Sequence, residues 1–87
     1  DDLRLASQTA FLEGHRLFLE NKSDAKRQSL QSLENALKLA RQSGDKDLEI
    51  TTLLSLQIIN RQIGEKLKSI EFGKNALALT AENSYDH

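Results

Sequence analysis

An all-α fold is predicted for this 87-residue chain by three observations. Proline is absent and Leu, Ala, Gln, Glu, Lys and Ser dominate, so strong helix formers meet no backbone obstacle. Apolar residues recur at the spacing of a helix face through almost the whole length. Within the best-patterned stretch, Ser43 to Leu79, Asp45 is a start signal and Gly64 a stop signal. Four helices in two hairpins are expected.

The first helix is expected from Asp2 to about Glu20, with acidic residues at its entry and Asn21 ending it. Leu3, Ala6, Ala10, Gly14 and Leu17 share one stripe, and Phe11 and Phe18 lie beside it. Leu5, Leu12 and Leu19 form a further apolar line, so this helix is either flanked by neighbours or presents a binding face. Gly14 inside a helix costs about 1 kcal/mol relative to Ala, which marks a close helix crossing.

Ser23 or Asp24 is expected to cap a second helix that ends near Gln42, with Leu30, Leu33, Ala36, Leu37 and Ala40 as its apolar line. Gly44 terminates it. Asp45 then caps a third helix, running to about Ile63. Its wide apolar face is Leu48, Thr52, Leu56, Ile59 and Ile63, with Leu53 at the edge, while Leu54, Ile58 and Arg61 stand on nearly the opposite side.

Beyond Gly64 the fourth helix is expected to reach Glu82, and it too is two-sided. Leu67, Ile70, Leu77 and Ala81 make one line; Phe72, Ala76 and Leu79 make another, with Ser69 and Gly73 as small residues nearby. A helix with two apolar lines is expected between two neighbours. Residues 83–87 read as a fraying tail.

Composition narrows the function. A net charge of −1 lacks the basic field that phosphate backbones require, so nucleic acid is not an expected partner. No apolar run approaches a membrane span, and the opening DDLRLASQ lacks the order of a signal peptide. Without cysteine there is no disulfide or thiolate chemistry. The first residue is not Met, which is expected of a piece of something longer. The compartment stays open, with the cytoplasm favoured.

No catalytic residue, metal or cofactor is expected. His15 and His87 are the two histidines, and His15 has no second ligand at metal spacing. Asp45, Asp47 and Glu49 alternate like calcium ligands, but the central Gly and terminal Glu of such a loop are missing, and helix-capping acids are the better account. No nucleophile comes with a base and an orienting partner. Glycines stand singly, so no phosphate cradle is present.

The halves of the chain repeat. SLQSLENALKLA (29–40) aligns with SIEFGKNALALT (69–80), pairing Ser29 with Ser69, Leu30 with Ile70, and Asn35, Ala36, Leu37 with Asn75, Ala76, Leu77. That period lies in the range of helical-repeat arrays. With Leu53, Leu56, Gly64, Ser69, Ala76 and Leu77 in a large, large, turn, small, small, large order, the chain resembles the tetratricopeptide repeat family. Longer repeats joined by GDK are similar to bacterial arrays often linked to signalling or caspase-like peptidase domains. Gln57, Asn60 and Gly73 depart from the family pattern in the second repeat.

The resemblance implies two repeats, about 3–42 and 45–82, in one domain of four antiparallel helices forming a short right-handed superhelix. Repeat packing would fall to Gly14, Leu17, Ser29, Ala36, Leu53, Leu56, Ser69, Ala76 and Leu77. Phe11, His15, Phe18, Leu54, Ile58 and Arg61 would line a concave groove suited to an apolar or amphipathic protein segment, with Arg61 meeting an anion. Phe11, His15 and Ser55 stand where chaperone adaptors carry a basic residue and two asparagines, so carboxylate clamping is not implied.

The expected function is therefore non-catalytic binding of a protein or peptide by part of a longer array. Two alternatives stand beside it. One is homodimerisation through the apolar faces of the third and fourth helices, with Phe72 and Leu79 in the contact. The other is a regulatory or recruiting arm of a larger enzyme such as a caspase-like peptidase.

Overall fold

The computed structural model describes residues 2–20 and 23–83, and they form four helices without a strand among them. These are α1 (Asp2–Leu19), α2 (Ser23–Ser43), α3 (Lys46–Gln62) and α4 (Lys66–Asn83). The expected bounds hold to within a residue or two, the ordinary spread of helix ends. Asn21 and residues 84–87, with His87, lie outside the described residues. Because α2 already starts at Ser23, Asp24 sits in its first turn, where its charge favours the helix dipole.

Two near-identical turns link α2 to α3 and α3 to α4. Gly44 and Gly64 both take positive φ, 76° and 89°, the left-handed conformation that a side chain resists. After each glycine the next amide reaches back to close the helix: Asp45 N–H donates to Ala40 C=O at 3.0 Å, and Glu65 N–H to Asn60 C=O at 2.8 Å. The glycine amides themselves bond to Arg41 and Arg61 carbonyls, which completes a Schellman motif twice. Asp45 also starts the next helix, its Oδ1 accepting the Leu48 amide at 3.2 Å. One residue ends the old helix and begins the new.

Packing runs in sequence. α1 lies along α2, α3 lies along α4, and α3 also lies across α2 and touches α1 at one edge. Leu33, Leu37, Leu53, Leu56, Ile59 and Ala76 form the buried cluster, with Phe11, Phe18, Leu30, Phe72 and Leu79 packed partly buried against it. α3 therefore has helices on two sides, while α4 packs against α3 alone.

Each hairpin is held by the same device. Ser29 Oγ donates to the Gly14 carbonyl at 2.5 Å, and Ser69 Oγ donates to the Gln57 carbonyl at 2.9 Å. A helix hydroxyl bonding a neighbouring helix's backbone needs a small residue at the crossing, and both serines are buried. Thr52 and Asn60, also buried, satisfy themselves within α3 through the Leu48 and Leu56 carbonyls.

One buried charge joins the hairpins. Glu49 reaches Arg41 of α2 at 2.9 Å, and its second oxygen, without a hydrogen bond, lies 3.6 Å from Lys46. Glu49 is buried whereas Arg41 is exposed, so the two ends of this pair are unequal. Arg41→Gln strands a buried carboxylate and is expected to cost about 1–2 kcal/mol; Glu49→Gln leaves an arginine that water can solvate and should cost under about 1 kcal/mol. Urea denaturation of the two variants checks the order, and a larger loss for Glu49→Gln would refute it.

Candidate interaction surfaces

Among the described residues no helix is long and apolar enough to cross a membrane, and no group of three or more His, Asp or Glu side chains is placed to hold a metal ion. What the surface offers is exposed aliphatic area, at two hollows that flank α3 and along the outer sides of α1 and α4.

The first is a small hollow of about 90 Å³ between α1 and α3, lined by His15, Phe18, Leu33, Ser55, Ile58 and Ile59. Phe11 and His15, one turn apart on α1, stack with ring centroids 6.1 Å apart and planes 13° from parallel. Phe18 is half-buried against the core, so much of its ring supports packing. Ile58 is the more exposed apolar group of this hollow.

The predicted groove is thereby divided. His15, Phe18 and Ile58 come together, and Phe11 reaches them through the stack. Leu54 instead lines a different hollow, and Arg61 is exposed without belonging to the lining of either. α3 has neighbours on two sides, and side chains one turn apart on it are shared out between them.

The second hollow, about 440 Å³, opens between α3 and α4 and is lined by Leu54, Gln57, Ile70, Gly73, Lys74, Ala76, Leu77 and Thr80. Leu54, Ile70 and Leu77 expose 45 %, 54 % and 70 % of their area, while Leu67, also on the outer side of α4, borders a separate hollow with Glu34, Lys68, Glu71 and Phe72. Such a surface is costly to leave in water.

Two sequence expectations are corrected here. Leu77, expected in repeat packing, faces solvent, because Ala76 is the residue that α4 turns toward α3. Phe72 and Leu79, expected in self-association, are partly buried against the chain's own core. The outer line of α4 is Leu67, Ile70 and Leu77. The remaining packing residues, Gly14, Leu17, Ser29, Ala36, Leu53, Leu56, Ser69 and Ala76, are all buried.

The outer side of α1 differs from that of α4. Leu5, Leu12 and Leu19 are exposed there, but Arg16 runs among them with hydrogen bonds to Glu13 and Glu20, both at 2.7 Å at their shortest. The Arg16 hydrogen bond and charge hold the Glu13 carboxyl below its ordinary range. A lowered carboxyl favours the folded state above the ordinary carboxylate range and loses that contribution as pH falls. Polar residues thus interrupt the leucine line, whereas Lys74 is the one charged residue that lines the α3–α4 hollow.

Sequence reasoning missed two pairings. Glu49, expected as a capping acid, pairs instead with Arg41 across the Gly44 turn, where helical spacing gives no signal. The other is Gln57 with Gly73, each noted as a departure from the family pattern, yet a Cβ at Gly73 would meet the Gln57 amide at 2.7 Å. Compared with family models, curated proteins and solved structures, the chain matches none.

Proposed function

We propose that the chain is a non-catalytic protein-interaction module, a pair of tetratricopeptide-like repeats that binds a segment of another protein. The observation that carries this reading is the exposed aliphatic surface of the second hairpin: Leu54 and Ile58 on α3, and Leu67, Ile70 and Leu77 on α4. Of these, Leu54, Ile70 and Leu77 share one hollow, and clustered apolar exposure of this kind on a small helical protein marks a contact surface. The internal repetition supports the same reading, because stacked helical pairs present extended faces to partners.

A library of displayed, helix-forming peptides panned against the intact chain tests it. Amphipathic peptides should be enriched, with saturable binding that weakens about tenfold or more when the contacted aliphatic residue is changed to Asp. Recovery of no saturable binder would overturn the proposal.

A further inference from the structure

The two hairpins correspond position by position, and two hydrogen bonds fix the register. Ser29 bonds Gly14 and Ser69 bonds Gln57, so the second helices correspond at an offset of 40 and the first helices at 43. Burial can then be compared at matched sites. Ser29 and Ser69 are both buried, as are Ala36 and Ala76. Leu37 is 6 % exposed, but its counterpart Leu77 is 70 % exposed; Ala40 is buried, but Thr80 is exposed.

The difference has one cause in the structure: α3 lies across α2 and nothing described lies across α4. Every residue lining the α3–α4 hollow has a counterpart on the first hairpin. Ile70, Gly73, Ala76, Leu77 and Thr80 match Leu30, Leu33, Ala36, Leu37 and Ala40, the apolar line that α3 helps to cover. The hollow repeats an interface that is already made once, minus one helix.

The missing helix can be described from α3. Glu49 reaches Arg41, Ile59 meets Leu33 at the small hollow, and Thr52 and Leu56 lie between them, all four buried. They form a stripe at i, i+3, i+7 and i+10. Arg41 corresponds to Ala81, so the first position of the stripe on the second hairpin calls for an apolar residue instead of an acid.

A second copy of the chain does not supply this face. The matching stripe of α1 is Ala6, Thr9, Glu13 and Arg16, and docking it would bury two charges now held at the surface. A two-fold contact of α4 with itself, pairing Ile70 with Leu77, is centred between Gly73 and Lys74 and brings two Lys74 ammonium groups together.

We propose that the α3–α4 hollow docks an amphipathic helix of a separate protein, lying as α3 lies on α2 and apolar at i, i+3, i+7 and i+10. This rests on the protein-interaction reading above and names its surface and partner.

The probe is a synthetic peptide of residues 45–62 carrying Glu49→Ala, held helical by a lactam from Asp47 to the side chain introduced by Thr51→Lys. Both lactam positions are exposed on α3, away from the docking stripe. Fluorescence anisotropy with the intact chain should show saturable binding, weakened about tenfold or more by Leu77→Asp or Ile70→Asp and changed less than about twofold by His15→Ala. Leu77 and Ile70 are exposed, so circular dichroism should show both Asp variants folded.

Binding that survives Leu77→Asp would mean that the peptide displaces α3 from α2, and would overturn the proposal. Sedimentation showing a dimer that Leu77→Asp converts to monomer would overturn it in favour of a second copy. If the probe fails while library peptides bind at His15 and Ile58, this inference falls and the interaction reading stands. If no library peptide binds, the interaction reading itself falls.

Discussion

Leu56→Ala is expected to remove about 3–5 kcal/mol of stability, seen as a lowered urea midpoint with little change in slope. Leu56 is fully buried in the cluster with Leu33, Leu37, Leu53, Ile59 and Ala76. Its truncation removes apolar transfer energy and leaves a cavity that helices on both sides of α3 cannot close together. A chain of this size has in total about 4–13 kcal/mol, so the variant loses a large share of it. Since α3 joins the two hairpins, both of its interfaces weaken at once. Leu77→Ala, on the open side of α4, should stay within about 0.5 kcal/mol. Similar losses at Leu56 and Leu77 would contradict the burial pattern.

Helix existence and helix ends were legible because local chemistry determines them. Gly44, Asp45 and Gly64 act through their own dihedrals and hydrogen bonds, and the structure uses them where the sequence places them. Orientation was less legible. α4 carries two apolar lines of similar strength, and periodicity gives the angle between them without saying which has a neighbour. The deciding residues are small ones: Ser69 and Ala76 permit close approach to α3 and so turn Phe72 and Leu79 inward, leaving Leu67, Ile70 and Leu77 outside.

The candidate surface shows the same division. Leu54 and Ile58 stand one turn apart and read as one face, but they line different hollows because α1 and α4 flank α3 on different sides. Contacts between distant segments, such as Arg41 with Glu49, leave no periodic trace. Matched positions in the two halves separate more cleanly than single-helix patterns do, since Leu37, with α3 across it, is covered and Leu77 is open.

Gly14→Gln is expected to cost more than about 3 kcal/mol, at the upper end of what overpacking does. A Cβ at Gly14 would lie 2.7 Å from Leu33 Cγ, 2.9 Å from Cδ2 and 3.3 Å from the Leu33 amide nitrogen. Leu33 is almost fully buried in the core cluster, and because its backbone amide as well as its side chain meets the new atom, turning the leucine toward the small hollow that it lines does not relieve the clash. The helices cannot simply move apart either, because Ser29 holds the Gly14 carbonyl.

In the second hairpin the same crossing is filled from the other side, with Gln57 at the place of Gly14 and Gly73 at the place of Leu33. What recurs between the hairpins is one large and one small residue, whichever helix supplies each. The two glycines therefore predict opposite outcomes. Gly14→Ala presses on a buried leucine and should lose about 1–3 kcal/mol even after the gain in helix propensity. Gly73→Ala presses on the amide end of Gln57, a flexible and half-buried side chain that can swing aside, so the propensity gain of up to about 1 kcal/mol should leave it neutral or stabilised. Thermal melts of the two alanine variants decide the matter: destabilisation of both by the same amount would show that Gly73 is held as tightly as Gly14, and that the exchange of large and small residues is not what keeps the crossings equivalent.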